Sequence, residues 1–151
     1  MYCRMNARSV GSMLRVLGDL FAQFFMVRMV PRPGNRSSLV TSVTLVACEA
    51  LVAELRDVAS RPFFRARLRA SAAELLAAGV QDFSFFCREL PSGPVAPDPK
   101  DRHLLALAEA SQAEFLVTGD KRLLSLKRHK STRIITPASM IELLKEAESS
   151  E

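Results

Sequence analysis

Twice in this chain a short apolar, β-branched run lies beside an amphipathic helix pattern. VTLVAC (43–48) passes directly into EALVAELRDVAS, where Leu51, Leu55 and Val58 fall on one helical stripe. Further on, a helix marked by Leu104, Leu107 and Ala108 leads to FLVT (115–118). Runs this apolar suit strands covered on both faces, and strands alternating with helices point to an α/β layer architecture. At 151 residues the chain has room for one such core.

Proline and glycine mark the joints. VPRPGNRSS is the clearest break, so the chain divides into an atypical N-terminal segment (1–38), a regular domain (39–146) and a flexible tail (147–151). Pro62 ends the first helix. FFRARLRASAAELLAAG then reads as a second helix stopped by Gly79, VQDFSFFC as a further strand, and LPSGPVAPDP as a loop. TRIIT predicts a last strand, and Thr136 with Pro137 predicts a capped helix start for ASMIELLKEA.

Composition narrows the function classes. Residues 1–42 hold six arginines, no lysine and one acid, Asp19, which leaves fifteen basic and fifteen acidic residues elsewhere. The net charge of +5 is compatible with a polyanionic partner, but it comes from the irregular N-terminal arm. Cys3, Cys48 and Cys87 show no C-x-x-C spacing, and His103 and His129 have no Cys or His at ligand spacing. Neither a disulfide framework nor zinc is indicated, and a reducing cytoplasm is the simple reading. MLRVLGDLFAQFFMVRMV (13–30) is broken by Asp19 and Gln23 and is too short to span a membrane. An amphipathic helix packed on the domain, or a misassigned start, ranks above an organellar transit peptide here.

The acids carry the chemistry. A helix from about Arg102 to Gln112 is roughly 16 Å long, and the strand after it climbs back a similar distance. If the two pack antiparallel in a right-handed crossover, Asp101 at the helix start and Asp120 beyond the strand end meet at one sheet edge. VTLVACEALVAEL repeats the geometry and brings Glu54, in the second turn of its helix, to the same edge, where open α/β sheets bind ligands. Three clustered carboxylates with no Cys or His partner suit Mg²⁺ or Mn²⁺, which makes phosphodiester hydrolysis natural. Each acid also has a plain structural reading: Asp101 as a helix N-cap, Asp120 with Gly119 as a turn pair, Glu54 as a solvated helix acid. His103 with Asp101 and the Ser111 or Ser125 hydroxyls makes no supported triad, because no nucleophile-elbow pattern accompanies them.

LVACEALVAELRDVASRPFF, then PDPKDRHLLALAEASQAEFLVTGDKRLL, then IITPASMIELL resemble the PIN-domain nucleases, in particular the VapC-like toxins of bacterial toxin–antitoxin systems. The likeness covers roughly 43–145, with D-P-x-D, V-T-G-D and I-x-T-P in that order. The resemblance implies a three-layer α/β/α domain around a central parallel sheet and a Mg²⁺- or Mn²⁺-dependent endoribonuclease. It also implies a cognate antitoxin and a homodimer. It places the metal-binding and catalytic acids at Glu54, Asp101 and Asp120, a hydroxyl near the metal at Thr118, and a substrate contact at Lys121, with Asp98 as an extra loop acid.

The departure lies in the N-terminus. The family opens with a strand ending in L-D-T-N, whose aspartate is a central metal ligand, and this chain has no such motif. Before Glu49 the only acid is Asp19, in RVLGDLFAQ. An upstream frameshift, a misassigned start codon and a degenerate Asp19 are the three explanations, of which the abrupt change near residue 40 favours a frameshift. The leading expectation is therefore a PIN-like ribonuclease impaired by loss of its first aspartate. The alternative is an inactive PIN-like protein that sequesters an antitoxin or RNA; a phosphoacceptor receiver domain ranks below both. Reading the upstream DNA in all three frames is expected to find L-D-T-N out of frame, and its absence from every frame counts against the frameshift.

Overall fold

The apolar runs pair into one six-stranded sheet in a computed structural model that describes residues 25–30, 42–67, 69–92 and 96–149. Its strands are β1 (Phe25–Val30), β2 (Ser42–Cys48), β3 (Phe85–Cys87), β4 (Phe115–Val117), β5 (Arg128–His129) and β6 (Thr132–Ile135), in the order β3-β2-β1-β4-β6-β5. β2 runs parallel to β3, and β4 parallel to β6. β1 lies between the two pairs and is antiparallel to both neighbours, and β5 is antiparallel to β6. Two reversals across β1 leave β2 and β4 pointing the same way. Four strands thus share one carboxyl edge.

Burial explains the strand positions. Residues 43–48 of β2 and all of β4 are buried, as expected where helices cover both faces of a sheet. Helix α1 (Glu49–Ser60) begins where β2 ends and buries Leu51, Val52, Leu55, Val58 and Ala59, the stripe read from the sequence with two neighbours added. Pro62 occupies the first turn of a short helix α2 (Pro62–Arg65), and Arg61 before it is extended, as a residue preceding proline prefers. α4 (Arg102–Ser111) is the central helix, with Leu104, Leu105 and Leu107 fully buried against Leu116, Leu123 and Ile134. α6 (Pro137–Ser149) starts as expected, with Thr136 Oγ1 accepting from the Ser139 N–H at 3.2 Å.

Three expectations are corrected. α3 (Ala72–Phe83) runs through Gly79 instead of stopping there, and it takes up VQDF; only Phe85–Cys87 of VQDFSFFC is strand. A helical glycine costs about 1 kcal/mol against alanine, and the burial of Ala77 beside half-buried Val80 carries the helix past it. Residues 25–30 of the N-terminal helix expected over 13–30 are instead strand β1, whose backbone fills the ladder between β2 and β4. The remainder of that expected helix, Asp19 included, lies outside the described residues. The six-residue helix α5 (Lys121–Leu126) and the two-residue β5 were not anticipated.

Cys48 and Cys87 are register partners on β2 and β3, both free thiols, and burial pushes each above the ordinary thiol range. No helix among the described residues is long and apolar enough to cross a membrane.

An ion cluster ties the β5–β6 hairpin to the far end of α4. Glu109 Oε1 lies 2.7 Å from His129 Nε2, and its Oε2 lies 2.8 Å from Lys130 Nζ. Thr132 Oγ1 donates to the Ala113 carbonyl at 2.6 Å. Lys130 adopts a left-handed φ of 49°, a conformation disfavoured for a side chain with a Cβ, and its ammonium is nonetheless held on Glu109. The same cluster borders a cavity of about 440 Å³ between α4 and the hairpin. Hydrogen bonds from Lys130 and His129 hold the Glu109 carboxyl below its ordinary range. Because the folded value is depressed, this stabilisation is present above the ordinary glutamate pKa of about 4.3 and is lost as pH falls through the folded value. Glu109→Gln is expected to lower Tm by about 3 °C at pH 7, with the difference from wild type vanishing in acid; thermal unfolding from pH 3 to 7 checks it.

Candidate functional site

The shared carboxyl edge is where the singled-out acids sit. Asp101 is the last residue of a single 3-10 turn (Pro99–Asp101) that opens onto α4, and Asp98 leads that turn. Asp120 follows β4 and leads α5, and Glu54 lies in the second turn of α1. Partial burial is the foremost cause holding the Asp101 carboxyl above the ordinary carboxylate range; the negative charges of Asp120, Asp98 and Glu54 add to it, against a smaller pull from His103. Asp101 thus lies within electrostatic reach of Glu54 and Asp120, from segments distant in sequence, and of Asp98 in its own turn. Crossover geometry places Asp101 and Asp120 together, as the helix and strand lengths require.

Local bonding separates the acids into two kinds. Asp120 is a working N-cap: its Oδ1 accepts from the Arg122 N–H at 2.7 Å, and its own N–H donates to Thr118 Oγ1 at 3.0 Å. Thr118 is fully buried and anchored in turn by its N–H on the Ile135 carbonyl at 2.9 Å, so its hydroxyl shapes the Asp120 loop from beneath. Asp98 likewise caps, accepting from the Lys100 N–H at 3.0 Å, and its Oδ2 meets the exposed Arg122 guanidinium at 3.4 Å. Asp101 differs. It holds the N-cap position of α4 with helical backbone angles and makes no side-chain cap bond. The capping role open to it in the sequence is not the one it plays.

Glu54 has a partner the sequence did not reveal. Its Oε2 lies 3.1 Å from His103 Nε2, and His103 Nδ1 donates to the Lys100 carbonyl at 2.7 Å. The facing Glu54 carboxylate is the main cause raising the His103 pKa above its ordinary value, against the opposing effect of burial. Protonation of the ring nitrogen that faces Glu54 is thereby favoured. The available signal was its place two residues beyond Asp101, in the first turn of a helix starting at the acid edge. Arg122 was also missed, being adjacent to Lys121, which is exposed at the first position of α5.

The donors are carboxylate oxygens, the ligand type of a hard divalent cation. The repulsion borne by Asp101 is the kind a cation would relieve, and in donor chemistry the residues fit Mg²⁺ or Mn²⁺. The carboxylates are not closed around a point: among the described residues no three His, Cys, Asp or Glu groups are arranged to hold a metal, and Glu54 is engaged by His103. β1 brings no acid to this edge, since FMVRMV contains none.

The Glu54–His103 contact gives a direct test. In an NMR pH titration, His103 is expected to titrate above the ordinary histidine value, and Glu54→Gln to lower its pKa by removing the negative charge that favours the imidazolium. An unchanged value in that variant contradicts the pairing.

A family model described as PIN domain matches residues 37–122, which include Glu54, Asp98, Asp101, Thr118, Asp120 and Lys121. Comparisons with curated proteins and with solved structures found no match.

Proposed function

The chain belongs to the PIN-domain family, and from that premise we propose that it is a metal-dependent endoribonuclease that serves as the toxin of a toxin–antitoxin pair. The observation that carries the chemistry is the gathering of Glu54, Asp98, Asp101 and Asp120 at the carboxyl edge of the parallel strands. Glu54, Asp101 and Asp120 would hold Mg²⁺ or Mn²⁺. A bound ion supplies an acidified water and neutralises charge on the leaving oxygen.

This chain's own residues do the remaining work. Asp101, free of a capping bond, offers its carboxylate to the site. Thr118 fixes the Asp120 backbone through the bond to the Asp120 N–H, so the carboxylate is presented from a rigid turn. Lys121, exposed beside Asp120, meets substrate phosphate. His103, held on Glu54 and the Lys100 carbonyl, sets the position of the Glu54 side chain. A cognate antitoxin and a homodimer complete the reading, in the cytoplasm.

A second reading rests on the reversed β1. The strand occupying the centre of the sheet carries no aspartate to the acid edge, which favours a non-catalytic protein that keeps the family surface and sequesters an antitoxin or RNA. Incubation of single-stranded RNA with the purified protein separates the two. The nuclease reading expects cleavage with Mg²⁺ or Mn²⁺, abolished by EDTA and reduced about 100-fold or more in Asp101→Asn and Asp120→Asn. Metal-dependent cleavage unaffected by either substitution would refute the assigned acids. Binding without turnover selects the second reading.

A further inference from the structure

The stretch RPFFRARLR (61–69) places four arginines and no acid in nine residues, around two phenylalanines. Phe64 is half-buried and anchors α2, whereas Phe63 is 58% exposed. The Arg67 guanidinium lies 3.7 Å from the centre of the Phe63 ring and also donates to the Phe63 carbonyl at 2.9 Å, while Phe64 meets the same ring edge-on. Arg61 is spent on Asp57 at 3.2 Å. Arg65, Arg67 and Arg69 are exposed and have no carboxylate partner among the described residues. An exposed phenylalanine is thus stacked by one arginine and flanked by guanidinium groups that have no carboxylate partner among the described residues.

We propose that this patch is a binding ledge for single-stranded RNA, with a base continuing the Phe63–Arg67 stack and phosphates held by Arg65, Arg67 and Arg69. Every base has a π-face and every linkage a negative charge, so alternating ring and guanidinium groups suit a single strand without regard to sequence. Guanidinium groups match phosphate oxygens two at a time. Position favours the same occupant. Arg61, at the end of α1, follows Glu54 by two helical turns on one face, about 10 Å along the axis. The ledge lies at the end of α1 away from the acid edge, and a strand of several nucleotides is long enough to span the two. The ledge rests on RNA being the substrate class proposed above, and it names where that substrate is gripped outside the acids.

The test is fluorescence anisotropy of a labelled, unstructured twelve-nucleotide RNA in EDTA, measured from 50 to 300 mM salt with the full chain. Replacing Arg65, Arg67 and Arg69 together by Gln is expected to weaken binding about tenfold or more and to flatten the slope of log K against log salt by about 2, three phosphate contacts at roughly 0.7 each. Phe63→Ala is expected to weaken binding about tenfold with the slope unchanged. These side chains are exposed, and matching circular dichroism and Tm confirm that the variants fold. Wild-type affinity in both variants overturns the ledge, as does equal displacement of the RNA by a polyglutamate peptide at matched charge, which would assign the patch to an acidic protein. Metal-dependent cleavage of RNA by wild type is read separately. Its absence sinks the nuclease reading and leaves the binding result standing, whereas unchanged binding in the variants sinks the ledge and leaves cleavage intact.

Discussion

A carboxyl partly buried among other carboxylates at one end of the sheet is the constraint on which the candidate site depends. Asp101 is partly buried, makes no capping bond, and has Asp120, Asp98 and Glu54 acting on it, so its ionised form is disfavoured. The neighbouring acids each have a partner: Asp98 the Arg122 guanidinium, Asp120 the Arg122 backbone N–H, and Glu54 the His103 ring. Asp101 has only the weaker influence of His103. Keeping such an acid uncompensated at the mouth of four aligned strands costs stability, which a bound cation would restore.

The direction of the strands produces this edge, and β1 complicates it. β2, β3, β4 and β6 agree in direction, so the segments after β2 and β4 and the helices they feed converge. β1 fills the central slot the other way round, with Phe25 opposite Val117 and Met26 opposite Val46. Its beginning, not its end, therefore faces the acids. A strand entering from the opposite side would deliver a residue from its carboxyl end to the site; β1 delivers that end to the far side of the sheet.

Much of this was legible in the residues. The stripe Leu51, Leu55, Val58 and the apolar run 115–117 gave the right elements because both are dominated by burial, which sequence periodicity reports directly. The meeting of Asp101 with Asp120 followed from matching lengths of helix and strand. Gly79 misled because its local preference was outweighed by the packing of Ala77 and Val80, a tertiary effect. Residues 25–30 misled because an apolar run of that length suits helix and strand alike, and the vacant ladder between β2 and β4 decided it. The partners of His103 and Arg122 were not legible because the contacts bridge segments far apart in sequence: Glu54 to His103, and Asp98 to Arg122.

The measurement that bears most directly on the carboxylate edge is the Tm of wild type and Asp101→Asn as Mn²⁺ is raised from zero into the millimolar range. In metal-free buffer the variant, relieved of the repulsion, is predicted to melt higher than wild type. Added Mn²⁺ is predicted to raise the wild-type Tm and leave the variant nearly unmoved. A metal-free variant no more stable than wild type, together with equal Mn²⁺ responses in the two proteins, would contradict the view that Asp101 stands at the centre of a cation-seeking site.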